Sequence, residues 1–60
     1  MTLDNARKNI GRYVKYTPFK GCDKSQIELG VITSVNDSYV FVRYGNDLHS
    51  KATNPSDLSF

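Results

Sequence analysis

GVITSVNDSYVFVRYG, residues 30–45, is the stretch that decides the fold. Val31, Ile32, Val35, Val40, Phe41, Val42 and Tyr44 are β-branched or aromatic, the residue types that suit a pleated, packed surface. Asn36-Asp37-Ser38 interrupts them. Asn and Asp tolerate positive φ and hydrogen-bond their own backbone, so the stretch reads as two strands joined by a two-residue turn. A turn centred on Asn36-Asp37 pairs Val35 with Ser38, Thr33 with Val40 and Val31 with Val42. A turn centred on Asp37-Ser38 pairs Val35 with Val40 and Thr33 with Val42. Both registers predict one face with Leu29, Val31, Thr33, Val35, Val40, Val42 and Tyr44, and another with Ile32, Ser34, Tyr39, Phe41 and Arg43. The second face is too apolar for plain exposure to water. Either the sheet bends and closes into a small barrel that covers it, or it is a binding surface.

Working outward, Thr2 can cap a short helix in which Leu3, Ala6 and Ile10 share one side. Gly11 is a plausible stop for it. A helical segment over residues 1–10 is too short to hold alone in water, so it must dock on the sheet. Arg12 to Tyr16 alternates as a strand, with Val14 and Tyr16 on one face and Tyr13 and Lys15 on the other. Pro18 ends that strand because it has no N–H for a ladder. Thr17 to Glu28 is a long polar loop holding Phe19, Lys20, Cys22 and Lys24, and loops of that length are often functional. Gly45-Asn46-Asp47 signals a second turn, and Leu48 to Thr53 reads as a short fourth strand. In Asn54-Pro55-Ser56-Asp57-Leu58, Asn54 suits an N-cap, Pro55 the first helical position and Asp57 the third. One helical turn there would swing Leu58 back onto the sheet, with Phe60 beside it.

Sixty residues make a single domain over residues 1–60, and a chain of this size buries only about 60% of its unfolded surface. That leaves no room for a cofactor domain or a deep catalytic cleft, and no cofactor or small-molecule substrate is expected. Nothing is long and apolar enough for a transmembrane helix, and the N-terminus lacks an apolar signal core. Cys22 is the only cysteine, so no internal disulfide can form and a cytoplasmic setting is expected. With Cys22 and His49 alone, a four-ligand zinc site is not expected. His49 reads as a surface residue rather than a general base. Cys22 has Lys20 and Lys24 nearby, cations that favour a thiolate, but no histidine adjoins it in sequence. Neither suggests an enzyme.

Charge is uneven although the net value is only +2. Residues 1–24 carry six basic against two acidic side chains, and residues 25–60 carry two against four. A basic half can favour an anionic partner.

VKYTP, then GVITSVNDSYVFVRYG, then the AT-NPSDL close, together resemble Src-homology-3-like small barrels, with the Tudor and KOW variants nearest in length. More narrowly, the pattern over residues 10 to 58 is similar to small proteins encoded by tailed phages and prophages. The resemblance implies a mainly β fold: a small barrel of four to five antiparallel strands with a short N-terminal helix and a C-terminal helical turn. It also implies non-enzymatic binding inside a bacterial host cell, although fold alone transfers no specific activity. The chain departs from peptide-binding members in having no tryptophan. A methyl-lysine cage would need Tyr13, Phe19, Tyr39 and Phe41 to converge.

Two functions follow as expectations. A phage-encoded adaptor or modulator would bind a protein, or a second copy of itself, through Tyr13, Lys15, Tyr39, Phe41 and Arg43, residue types that suit interface centres. Alternatively, a nucleic-acid binder would set Arg12, Lys15, Lys20, Lys24 and Arg43 against phosphates and stack bases on its exposed aromatics.

Overall fold

The structure, a computed structural model, describes residues 1–18, 26–45 and 47–60. It is mainly β. A short helix α1 (Leu3–Arg7) precedes β1 (Tyr13–Tyr16), β2 (Glu28–Val35), β3 (Val40–Tyr44) and β4 (Lys51–Thr53); a 3-10 turn (Pro55–Asp57) then leads into β5 (Leu58–Ser59). All pairings are antiparallel, and the five strands run in the order β4-β3-β2-β1-β5. The sheet is open, with β4 and β5 as its edges.

The hairpin expected between residues 30 and 45 is present, but its faces are not those that simple alternation predicts. Ile32 lies opposite Val42 and Val35 opposite Val40, yet only Phe41 stands between Val40 and Val42, facing Ser34. Thr33 is therefore an extra residue, a β-bulge. A bulge inserts one residue into one strand and reverses the in-out parity beyond it. The expected grouping of Leu29, Val31 and Thr33 with Val40, Val42 and Tyr44 is thus overturned. Ile32, expected on the other face, is fully buried, while Leu29 is 60% exposed. Thr33 is held in place by its hydroxyl, which donates to the Phe41 carbonyl (3.1 Å) and meets Ser50 Oγ at 2.5 Å.

The turn follows the Asp37-Ser38 register, with Asn36 N–H donating to the Tyr39 carbonyl at 3.0 Å. No non-glycine residue among those described has positive φ. The turn is closed instead by the Asn36 side chain, whose Oδ1 accepts from the N–H groups of Ser38 (2.8 Å) and Tyr39 (2.6 Å). Asn thus acts here through its side-chain acceptor rather than through left-handed backbone.

The inner face forms the core. Val14, Ile32, Val40, Val42, Tyr44 and Leu58 are buried, and Ala6 of α1 joins them; Met1, Leu3, Tyr16 and Val35 pack around this cluster. Gly30 sits among them because nothing larger fits. A Cβ there would meet Val42 Cγ1 at 2.5 Å and both the Arg43 carbonyl and Tyr44 Cδ1 at 2.9 Å. The side chains of β3 occupy the space that a β2 side chain would need.

Thr2 caps α1 as its sequence predicts, its hydroxyl accepting from Asn5 N–H at 3.1 Å. The helix ends at Arg7, short of the expected residue 10, and Ile10 is 52% exposed rather than docked. The chain turns instead through Gly11, whose φ of +95° suits glycine. Gly11 N–H then donates to the Ile32 carbonyl at 2.7 Å. The helix is secured at both ends: the Met1 amine donates to the Leu58 carbonyl (3.4 Å) and an Arg7 guanidinium nitrogen to the Asn36 carbonyl (3.5 Å). The fourth strand is also shorter than the expected Leu48 to Thr53, since it begins at Lys51 and Leu48 is 89% exposed.

The C-terminal close is as its residues predict. Asn54 Oδ1 accepts from Ser56 N–H at 3.0 Å, Pro55 opens the turn, and Leu58 returns to the core with 3% exposure. Beyond the turn the chain adds β5 against β1, with Tyr16 opposite Leu58 and Lys15 opposite Ser59.

Candidate functional site

The outer face of the sheet is built by the strand registers. Tyr13 of β1 lies opposite Val31 of β2, and Val31 lies opposite Arg43 of β3, so the three form one row across the sheet. Lys15 and Leu29 form the neighbouring row. Phe41 lies between Ser34 and Ala52. Side chains that are paired across neighbouring strands stand about 5 Å apart on a common face. Four of the five sequence-predicted binding residues, Tyr13, Lys15, Phe41 and Arg43, are therefore brought onto one surface. The fifth, Tyr39, lies in the turn beside it, 46% exposed.

The bulge adds two residues that alternation assigned to the core. Leu29 and Val31 join Tyr13, which is 75% exposed, and the half-buried Phe41 in an apolar stripe. Water contact at such a stripe is costly, since each Å² of exposed apolar surface forgoes about 25 cal/mol. Among the described residues neither Lys15 nor Arg43 has a carboxylate within 4.0 Å; the ion pairs are Arg7–Asp4 at 3.0 Å and Lys51–Asp47 at 3.7 Å, away from this face. Arg12 lies over the ring of Phe60, 4.8 Å from its centroid. Lys20 and Lys24, expected as nucleic-acid contacts, lie outside the described residues, as do Phe19 and Cys22.

The inner face offers a different arrangement at one end. There a hollow of about 270 Å³ opens between β4 and the ends of β1 and β2. Tyr16 and Tyr44 meet in it at 5.8 Å between ring centroids with a 59° tilt. Glu28 and Lys51 stand at its sides, and Thr53 and Asn54 complete the β4 wall. The Tyr44 hydroxyl is paired with Thr53 Oγ1 at 2.8 Å. Burial pushes the Tyr44 phenol above its ordinary value of 10.0; the Thr53 hydrogen bond opposes this, and the nearby Tyr16, Glu28 and Asp57 add to it.

His49 is exposed. Among the described residues no group of three or more His, Cys, Asp or Glu side chains is placed to hold a metal ion. No described helix is long and apolar enough to cross a membrane. No protein-family model matches the chain, and neither a curated protein nor a solved structure matches it.

Proposed function

We propose that the chain is a non-enzymatic binding module that grips a protein partner through the outer face of its sheet. The partner has apolar side chains for the Tyr13-Leu29-Val31-Phe41 stripe and acidic groups for Lys15 and Arg43. One observation carries the reading: an apolar stripe in which Tyr13 and Leu29 are exposed stands beside two cations that lack carboxylates of their own among the described residues. Aromatic residues and arginine at the centre of a patch are the usual anchors of protein interfaces. The strand order and short strands accord with a small Src-homology-3-like barrel left open between β4 and β5. The resemblance to phage and prophage proteins gives the setting of this reading, a phage-encoded adaptor or modulator acting inside a bacterial cell.

The test compares capture of partners from a bacterial lysate by the wild-type chain, Phe41→Ala, Arg43→Glu and the double variant Tyr13→Ser/Leu29→Ser. The reading expects one retained protein with an acidic surface, lost in all three variants, while their thermal unfolding stays close to wild type. A protein retained equally by the Tyr13→Ser/Leu29→Ser variant would overturn it.

A second reading has its own support. The most exposed aromatic of the face, Tyr13, shares a row with Arg43 and a strand with Lys15. Bases stack on exposed aromatics while cations meet the phosphates. A single-stranded oligonucleotide engaging Arg12, Lys15 and Arg43 would show a log–log salt slope of about −2, from about 0.7 per phosphate. No mobility shift at low salt would remove this reading.

A further inference from the structure

We infer that the hollow between β4 and the ends of β1 and β2 receives the cationic end of a lysine or arginine side chain on an extended partner segment. This site is on the inner side of the sheet and does not depend on the outer-face reading. Its walls are two tyrosine rings, 5.8 Å apart and tilted by 59°, so their faces do not stack flat on each other. Tyrosine faces carry negative quadrupole charge and attract a cation within about 6 Å. Glu28 stands at the side of the hollow, and among the described residues no cation lies within 4.0 Å of its carboxylate. Asp57 is close enough for its charge to act on the Tyr44 phenol, as does that of Glu28.

The remaining wall residues fit the same occupant. Lys51 borders the hollow, but its ammonium is paired with Asp47 at 3.7 Å and its side chain is 68% exposed. Its charge is thus drawn toward solvent, and its stem is what it offers the cavity. A volume of about 270 Å³ leaves space for one side-chain terminus rather than a whole folded surface.

Two features choose among cations. Among the described residues two rings line the site, too few to enclose a quaternary ammonium, which makes no hydrogen bonds and depends on aromatic faces. Glu28 instead offers acceptor oxygens, which suit the N–H donors of a primary ammonium or guanidinium. The hollow also lies beside β4, a sheet edge with no strand on its outer side among the described residues. An extended segment can run along such an edge and place alternate side chains inward.

The test is a ¹⁵N–¹H NMR titration of the full chain with N-acetyl-lysine methylamide, N-acetyl-arginine methylamide, the neutral N-acetyl-norleucine methylamide and tetramethylammonium. The lysine or arginine derivative is expected to give saturable shifts at the amides of Glu28, Tyr44, Thr53 and Asn54. The norleucine derivative should bind at least tenfold more weakly, and Glu28→Gln should weaken the lysine derivative by a similar factor. Glu28 is exposed, so this variant tests the charge without disturbing the core, and an unchanged thermal midpoint will verify that. The inference is overturned by equal binding of norleucine, by undiminished binding to Glu28→Gln, by tighter binding of tetramethylammonium, or by no saturable shift.

Discussion

Val31 and Ile32 are neighbours of nearly the same chemistry, yet one faces outward beside Tyr13 and Arg43 and the other is fully buried against Val42. The two faces of this sheet differ less in composition than in what covers them. On the inner face, α1, β5 and the side chains of β3 close over Ile32 and Val14. On the outer face, an apolar stripe of comparable residue types is only partly covered: Tyr13 and Leu29 are exposed, and Val31 and Phe41 are half-buried. Burial here is assigned by one inserted residue, Thr33, rather than by hydrophobicity. The same residue that completes the core by turning Ile32 inward thereby supplies Leu29 and Val31 to the candidate interface.

The contrast is broken most forcefully at Ile32. Ile32→Ala should destabilise the chain by about 2–5 kcal/mol, the range for truncating a buried aliphatic side chain. Chemical denaturation measures it. Gly30→Ala comes next, at about 1–3 kcal/mol for overpacking, because its Cβ would press on Val42 and the β3 backbone. An unchanged denaturation midpoint would show that β2 and β3 are not packed as closely as described. Asn54→Ala should cost about 1 kcal/mol through loss of the cap, read in the same assay.

Tyr44 sharpens the contrast through pH. Its phenol is raised above 10.0 in the folded chain, so the folded state holds the proton more tightly than the unfolded one. Its contribution is fully present below pH 10 and is lost as pH rises through the folded-state value. Stability should therefore fall on the alkaline side, and Tyr44→Phe should flatten that part of the profile. The smallest effect belongs to the outer face. Leu29→Ser should change stability by no more than about 0.5 kcal/mol, as exposed substitutions do. A loss as large as that at Ile32 would place Leu29 in the core and remove it from the interface.

Much of the architecture was legible where local chemistry acts alone. Asn54-Pro55-Ser56-Asp57 specified its own cap and turn, and Asn36 closed the hairpin through its own side chain. The placing of Tyr13 with Lys15, and of Phe41 with Arg43, was legible too, because β1 and β3 alternate without interruption. The parity of β2 was not. Leu29, Val31, Ile32 and Val35 are all apolar, so alternation alone cannot tell which pair faces inward. The adjacent polar residues Thr33-Ser34, with Ile32 and Val35 three positions apart, were the available sign of an inserted residue. The hollow on the inner face had no local signal, since Tyr16, Glu28, Tyr44 and Lys51 come from four strands.

Cross-strand backbone NOEs across the β2–β3 hairpin test the bulge, and with it the assignment of both faces, most directly. Ile32 is expected opposite Val42 and Ser34 opposite Phe41, with Thr33 unpaired between them. NOEs placing Thr33 opposite Val42 would return Leu29 and Val31 to the inner face and contradict that assignment.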